Sequence, residues 1–317
     1  MVSPRAQSLG LFLIYINDLH RSIKRSSTYH FADDTNLLTI AKNPKKLQSI
    51  LNKDLNSLYK WLLANKISLN AAKTEMIIFR KPRQQAPLIK VKINGTRVIP
   101  SSKIKYLGIY LDIFLNGSAH CYELQTKLQR ATGMIAKTRH YLKENKSQLI
   151  SLYHSIFSCH IVYGCQIWSL NENRYTKKIQ TLQNRAVRLI SFSELNPDLH
   201  TIDHYKKLKL LKISDLVTLK NLLFVHDYFN NQLPNCFDEY FTLEKDIHQQ
   251  NTRNSSKTNK LHVPNTVQVT YGDHSFKSRV VVAWNDLCNV IPNVKFQTLK
   301  KEKFKNLVIN HILDGYT

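Results

Sequence analysis

Phe31-Ala32-Asp33-Asp34 is the stretch with the most chemistry in it. Adjacent carboxylates repel each other, and keeping both ionised takes cations or water. A tight turn between strands would place both where a pair of divalent ions could bind. Such ions stabilise the attacking and leaving oxygens of an in-line phosphoryl displacement. A solvated Asp-Asp turn is the plain alternative. Other candidates carry less. Cys159, His160 and Cys165 have loose metal-like spacing without a fourth partner, and read as buried core residues. Trp168 and Trp284 could stack bases, yet each sits in an apolar surround where packing is the default.

The elements around the doublet are legible. Leu9–Leu19 is a compact apolar run that reads as a buried segment, too short for a membrane span and without a small-residue cleavage site. Ser27–Ala32 and Thr35–Ala41 are rich in β-branched and aromatic residues and are separated only by Asp33-Asp34, a hairpin pattern. Asn43-Pro44 then opens a helix, with a capping side chain and a first-turn proline. Leu47, Leu51, Leu55, Leu58 and Leu62 give that helix one apolar face. Asn65–Asn70 breaks it, and Thr74–Phe79 returns as a strand. Ile89–Ile93, Asn94-Gly95 and Thr96–Ile99 predict a second hairpin, and Ile104–Leu111 one further strand.

From Ala119 to about Leu243 the apolar period turns helical. Leu124, Leu128, Ala131 and Ile135 share a face; Leu149–Ser158 follows; then Ile179, Leu182, Ala186 and Leu189; then Ile213–Phe229. Pro197 and Pro234 punctuate the run. The third of these helices is basic as well as amphipathic, through Lys177, Lys178, Arg185 and Arg188. Gln249–Lys260 reads as a flexible linker, Leu261–Phe276 as strands, and Lys300–Leu313 as a basic terminal helix.

Charge narrows the partners. Lys and Arg number 46 against 22 Asp and Glu, a net charge of +24 over 317 residues, which points to a long polyanion. From Arg80 to Tyr106 there are eight basic residues and no acidic one. Their interleaving with strand patterns favours a nucleic-acid track over a merely solvated face. With eight glycines, no GxGxxG and no GxxxxGK, the glycine-cradled dinucleotide and P-loop folds are excluded. Five scattered cysteines without a CxxC pair read as reduced, buried thiols of an intracellular protein, nuclear or cytoplasmic.

Taken together, the segments resemble the reverse transcriptase of non-LTR (LINE, jockey-like) retrotransposons. Leu11–Leu19 looks like the helix after that family's motif B, and Phe31-Ala32-Asp33-Asp34 with Thr35-Asn36-Leu37-Leu38 like motif C. Asn65–Asn70, Lys73-Thr74-Glu75 and Phe79 are similar to motif D, and Lys105-Tyr106-Leu107-Gly108-Ile109 with Leu111-Asp112 to the primer-grip motif E. Tyr163-Gly164 with Trp168, Leu182-Gln183-Asn184-Arg185-Ala186, Asn251-Thr252-Arg253 and Ala283-Trp284-Asn285 resemble the family's C-terminal region.

The resemblance implies roles. Asp33 would bind catalytic Mg²⁺ ions, with Asp34 supporting it, and Lys73 would lie near the incoming nucleotide's phosphates as the third catalytic residue. Tyr106, Leu107 and Gly108 would hold the primer's end, the glycine permitting close backbone approach. Asp18 becomes a helix-end residue. Lys90, Lys92, Arg97, Lys103, Lys105 and Arg185 are the nucleic-acid contacts expected on an RNA template and DNA primer, with deoxynucleotides as substrate and no membrane partner. The implied fold is α+β: a partial polymerase palm, with an antiparallel sheet and flanking helices, followed by a mostly helical thumb. The expected domains are 1–79 (palm, motifs B to D), 80–118 (basic hairpin and motif E), 119–248 (helical thumb and connection) and 249–317 (linker and small mixed region).

The sequence also departs from the pattern. It opens almost inside motif B, with Ser3–Gly10 a shortened version of the expected segment, and holds no counterpart of the motif A aspartate. Two adjacent aspartates alone face the four positive charges of two magnesium ions. The expectation is therefore a C-terminal fragment, inactive by itself, whose palm sheet keeps an open edge. A non-catalytic nucleic-acid-binding remnant is the competing reading, and a helical scaffold kept soluble by its charge the blandest. An acidic doublet facing open solvent, far from any positively lined groove, would argue against polymerase ancestry.

Overall fold

The computed structural model describes residues 4–70, 73–169, 174–192, 200–244, 260–265, 275–291 and 296–316, with side chains from Gly10 onward, Arg174 excepted. Helix and strand are mixed, and the chain divides into two compact units. The first comprises Met1–Tyr106 and Asp112–Leu115; the second comprises Leu107–Leu111 and Asn116–Thr317.

The first unit opens with α1 (Pro4–Tyr15), followed by a 3-10 turn, Leu19–Ser22. The expectation of a buried segment fails here. Ile16 and Leu19 are buried, but Leu11, Leu13, Ile14 and Tyr15 are exposed, because no described element of the unit covers that face of the helix. Strands β1 (Ser27–Phe31) and β2 (Asp34–Leu38) form the first hairpin, in the register Phe31 opposite Asp34 and Ser27 opposite Leu38. The turn is therefore Ala32-Asp33, one residue earlier than the sequence suggested. Ala32 takes a left-handed φ of 52°, and Asp34 is already the first residue of a strand. These two strands make up a whole sheet among the described residues. Tyr29, Phe31, Leu38 and Ile40 are exposed along it.

Helix α2 (Pro44–Ala64) follows as expected. The Asn43 side chain accepts a hydrogen bond from the Lys46 amide at 2.8 Å, with Pro44 in the first turn. Leu55, Leu58 and Leu62 are buried, and Leu47 and Leu51 pack beside them against Ile89, Val91, Ile93 and Val98. The predicted strand Thr74–Phe79 shrinks to β3 (Met76–Ile77), paired in parallel with β6 (Pro100–Ser101). A two-residue parallel pairing supplies few ladder bonds, and Phe79 is exposed.

The second hairpin, β4 (Val91–Ile93) and β5 (Thr96–Val98), turns at Asn94 and Gly95 with φ of 49° and 74°. Two positive φ values are what an Asn-Gly two-residue turn supplies. The single strand expected over Ile104–Leu111 is interrupted: β7 (Lys103–Tyr106) ends where Leu107 and Gly108 take φ of 44° and 82°, and β8 (Ile109–Asp112) follows.

The second unit is helical and holds one large core. Its main helices are α3 (Ser118–Thr138), α4 (Lys146–Tyr153), α5 (Cys159–Val162), α6 (Cys165–Trp168), α7 (Arg174–Ser191), α8 (Thr201–Leu208) and α9 (Ile213–Phe229). A π-helical turn, His154–Ser158, lies between α4 and α5. The predicted faces hold, with Leu124, Leu128, Ala131, Ile135, Ile179, Ala186 and Leu189 buried.

The strands read into Leu261–Phe276 are corrected in part. Residues 260–265 contain only an isolated bridge, Leu243 to Leu261, while 266–274 lie outside the described residues. Phe276 begins helix α10 (Phe276–Val290), capped by Ser275, whose hydroxyl accepts from the Ser278 amide at 3.3 Å. Val280, Val281, Trp284 and Leu287 give it a buried face. The terminal helix is α11 (Lys301–Asp314). Apart from Lys260, the proposed linker Gln249–Lys260 lies outside the described residues, as do Ser3, Pro197 and Asn251-Thr252-Arg253. Among the described residues no helix is long and apolar enough to cross a membrane.

Candidate functional site

The acidic turn is held from its root. Asp54, buried on α2, accepts the Ser26 hydroxyl at 2.8 Å and the Arg25 amide at 3.2 Å, and its second oxygen lies 3.6 Å from the Arg25 guanidinium. Ser26 also bonds Thr39 across the hairpin at 2.7 Å. Both strands are thus tied to the helix at one end, and the Ala32-Asp33 turn projects from the other. Along the ladder, His30 Nδ1 lies 3.2 Å from the Thr35 hydroxyl. Burial, then the charge of His20, lowers its pKa and favours the neutral ring.

Asp33 and Asp34 are both exposed. This exposure means that the geometry of the doublet does not itself support the assignment. Two neighbouring carboxylates can attract a hydrated divalent cation, yet magnesium demands near-octahedral oxygen ligation. Among the described residues no group of three or more His, Cys, Asp or Glu side chains converges on a metal position. The doublet alone does not fit a two-metal clamp. Lys73 is also exposed, and its amide donates to the Asn70 carbonyl at 3.1 Å.

The basic track is positioned by α2. Gln48 Oε1 accepts the Lys90 amide at 2.7 Å; Asn52 Oδ1 accepts the Lys92 amide and its Nδ2 donates to the Lys90 carbonyl, both at 2.9 Å. Two side chains one helical turn apart thereby satisfy the free edge of β4. Strand alternation does the rest: Val91 and Ile93 are buried, while Lys90 and Lys92 point outward. Lys92 stands directly opposite Arg97 in the register. Opposed like charges destabilise a sheet, and an anion over this pair would relieve that repulsion. Lys103 and Lys105 are exposed on β7 of the same unit. Sequence reading found the lysines but not Gln48 and Asn52, whose amphipathic spacing is indistinguishable from an ordinary solvated face.

The primer-grip residues fall on either side of the division between units: Tyr106 in the first, Leu107 and Gly108 in the second. Arg185 is exposed on α7 of the second unit, with Lys178 and Arg188 on the same side of the helix. Its neighbour Gln183 faces inward and is fully buried. Gln183 Nε2 donates to the Tyr153 hydroxyl at 3.0 Å and the Leu211 carbonyl at 2.9 Å. Asn184 Oδ1 accepts from the Tyr205 hydroxyl and from Gln180 Nε2, both at 2.8 Å. Burial pushes the Tyr153 phenol up to about 12 against the opposing pull of Gln183, so it stays protonated while it accepts from Gln183. The Gln-Asn pair of the family-like segment thus belongs to a structural network, with Gln183 buried and Asn184 half-buried.

Cys165 is buried and its thiol is raised to about 11, chiefly by desolvation. Cys159 and Cys236 are exposed, which corrects the reading of uniformly buried thiols; all five cysteines are unpaired in disulfides. Trp168 and Trp284 are core residues, as expected. A cleft of about 380 Å³ between α9, α10 and α11, lined by Asn221, Arg279, Asp286 and His311 among others, includes none of the residues singled out above.

Comparison with known proteins gives matches of sequence. The profile of the reverse transcriptase (RNA-dependent DNA polymerase) family matches residues 6–111. The chain is 27% identical over 226 residues to a probable RNA-directed DNA polymerase from transposon X-element of Drosophila melanogaster, covering 67% of this chain and 24% of that protein. It is 30% identical over 192 residues to the RNA-directed DNA polymerase from mobile element jockey of the same fly, covering 58% and 20%. A Pol polyprotein from the type-1 retrotransposable element R1 of Bradysia coprophila is 24% identical over 170 residues, covering 52% and 16%. The chain thus spans about a quarter or less of the length of these relatives. No solved structure matches it. Enzymes of the matched family generally use divalent metal ions. By these matches the chain is similar to jockey-like non-LTR retrotransposon RNA-directed DNA polymerases, and its residues 6–111 match the reverse transcriptase family model.

Proposed function

We propose that the chain is part of an RNA-directed DNA polymerase of a non-LTR retrotransposon, with palm-derived residues in its first unit and the thumb in its second. In this reading Asp33 is a ligand of the catalytic magnesium ions, Asp34 supports it, and Lys73 lies by the nucleotide's phosphates. Tyr106, Leu107 and Gly108 hold the primer end. Lys90, Lys92, Arg97, Lys103, Lys105 and Arg185 neutralise phosphates of an RNA template and DNA primer, and deoxynucleotides are the substrate. Bound magnesium would supply charge stabilisation at the transferring phosphoryl group. One observation supports the reading: the family match spans residues 6–111, the stretch that contains the doublet, Lys73, the basic track and Tyr106.

The isolated chain itself does not polymerise, on this proposal, because two exposed neighbouring carboxylates do not make a two-metal site. Primer extension on poly(rA)/oligo(dT) with Mg²⁺ or Mn²⁺ tests it: no product is expected, and processive DNA synthesis would overturn the inactivity. Binding to RNA–DNA hybrid should persist and should weaken with salt. With about six phosphates neutralised, the log–log slope would be about −5.

A second reading, a non-catalytic nucleic-acid-binding remnant, is favoured by the solvent exposure of both aspartates. Asp33→Ala separates the two. Should primer extension give product, Asp33→Ala abolishes it in an enzyme; in a remnant there is no product to lose, and the substitution leaves hybrid binding unchanged. Retained affinity after Lys90, Lys92, Arg97, Lys103 and Lys105 are together replaced by Gln would refute both, leaving a scaffold whose charge serves solubility.

A further inference from the structure

We infer that Tyr163 is a positioning residue for the primer end, acting through the Leu107–Gly108 turn with Gly164 and Trp168 as its support; this rests on the polymerase reading above. The turn needs a brace. Leu107 takes a φ of 44°, a left-handed conformation that costs an L-residue, and Gly108 follows at 82°. Tyr163 supplies the brace. Its hydroxyl donates to the Leu107 carbonyl at 2.6 Å, and its ring closes over Gly108, where an added Cβ would lie 3.2 Å from Cε1.

The contacts continue residue by residue along the same backbone. Gly164, itself left-handed at φ 56°, sits so close to Ile109 that a Cβ would run into the isoleucine side chain. The Tyr110 amide donates to His120 Nδ1 at 3.3 Å, and the His120 ring lies 5.7 Å from that of Trp168. Trp168 is 1% exposed; its indole N–H donates to the Tyr163 carbonyl at 3.0 Å, and its own carbonyl occupies the space a Cβ on Gly117 would need. Four successive residues, Leu107 to Tyr110, are therefore each held by Tyr163, Gly164 or the Trp168–His120 pair.

Tyr163 is not core filler. It is 56% exposed, yet its hydroxyl is committed to a main-chain oxygen of the turn. A side chain so placed fixes the backbone while leaving the outer surface of the turn open. Primer-terminus contact through Leu107 and Gly108 needs both conditions. The Tyr163-Gly164 and Trp168 segment, singled out in the sequence without a role, acquires one.

The test uses the full chain and an RNA–DNA hybrid whose primer ends in 4-thiothymidine, photo-crosslinked and mapped by mass spectrometry. Wild type should crosslink at Leu107–Gly108. Tyr163→Phe removes only the hydroxyl. It should leave the hybrid dissociation constant within roughly twofold, since phosphate contacts elsewhere set affinity. The crosslink at the turn should fall about fivefold, as loss of one ordinary hydrogen bond implies. Gly108→Ala, which presses on the Tyr163 ring from the other side, should lower the same crosslink. Circular dichroism and melting of Tyr163→Phe check that the fold persists, since a merely structural tyrosine would move stability and affinity together. A turn crosslink undiminished in Tyr163→Phe overturns the proposal alone. A wild-type chain that binds hybrid but crosslinks elsewhere removes the primer-grip reading and the proposal with it.

Discussion

The two units handle their polar residues in opposite ways. In the first, Asp33, Asp34, Lys73, Lys90, Lys92 and Arg97 are outside, and a small core of leucines, isoleucines and valines is fastened by a few side-chain anchors. Asp54 holds one hairpin; Gln48 and Asn52 hold the other. In the second, the residues of a family-like segment turn inward, and Gln183 and Asn184 join Tyr153, Tyr205 and Gln180 in a hydrogen-bonded network within a continuous helical core. The contrast separates two jobs. Residues that would meet a polyanion stay hydrated and cost little to present; residues that define a helical packing are buried and must be fully bonded, because an orphaned polar group is expensive there.

Several substitutions sharpen or break that contrast. Trp168→Ala should be the most damaging. It empties a buried site and frees the Tyr163 carbonyl, with a loss of about 3–5 kcal/mol measured by chemical denaturation. Gln183→Ala should cost about 3 kcal/mol, since it strands the Tyr153 hydroxyl and the Leu211 carbonyl. A loss under about 0.5 kcal/mol would show the network to be ornamental. Asp54→Ala should cost about 2 kcal/mol, with hydrogen exchange quickening in β1 and β2 and unaltered in α3 and α7.

Acid should act next. His120 is buried, and desolvation first, then Lys127 against Glu123, depresses its pKa to about 4. The unfolded chain, with histidine near 6.5, binds more protons between those values. Stability is therefore complete above pH 6.5 and falls as pH drops toward 4, by about 2 kcal/mol, and His120→Asn should flatten that dependence in pH-resolved melts. Smallest of all, Asp33→Ala should change stability by less than about 0.5 kcal/mol, as its exposure requires.

What could be read from the sequence was whatever depends on local pattern. The Asn43 cap and leucine face of α2, the Asn94-Gly95 turn, and the faces of α3 and α7 each follow from spacing within one element. What escaped depends on partners distant in the chain. Asp54 looks like one more polar residue on a helix until Arg25 and Ser26 arrive 29 and 28 residues away. Gln183 looks solvated until Tyr153 and Leu211 enclose it. Thr74–Phe79 has strand composition but finds only two pairing positions. The apolar run in α1 carries no mark of whether a neighbour covers it, so Leu11 and Ile14 could not be told from core residues. Of the candidate site, the acidic doublet and the basic track came from residue type and spacing, and the roles of Lys73 and Tyr106–Gly108 from the resemblance to a family; the side-chain amides that aim Lys90 and Lys92, and the tyrosine that braces Leu107, came only with the fold.

The bare margins of the first hairpin also bear on handling. A two-stranded ribbon offering Tyr29, Phe31, Leu38 and Ile40 to solvent is an invitation to stack with its twin, and a net charge of +24 is what keeps copies apart. That repulsion reaches about 10 Å in 0.1 M salt but only about 3 Å in 1 M. Concentrated brine, the usual remedy for stripping nucleic acid from a basic preparation, would therefore trade a contaminant for clumping, and a competing polyanion such as heparin would be the gentler eluent.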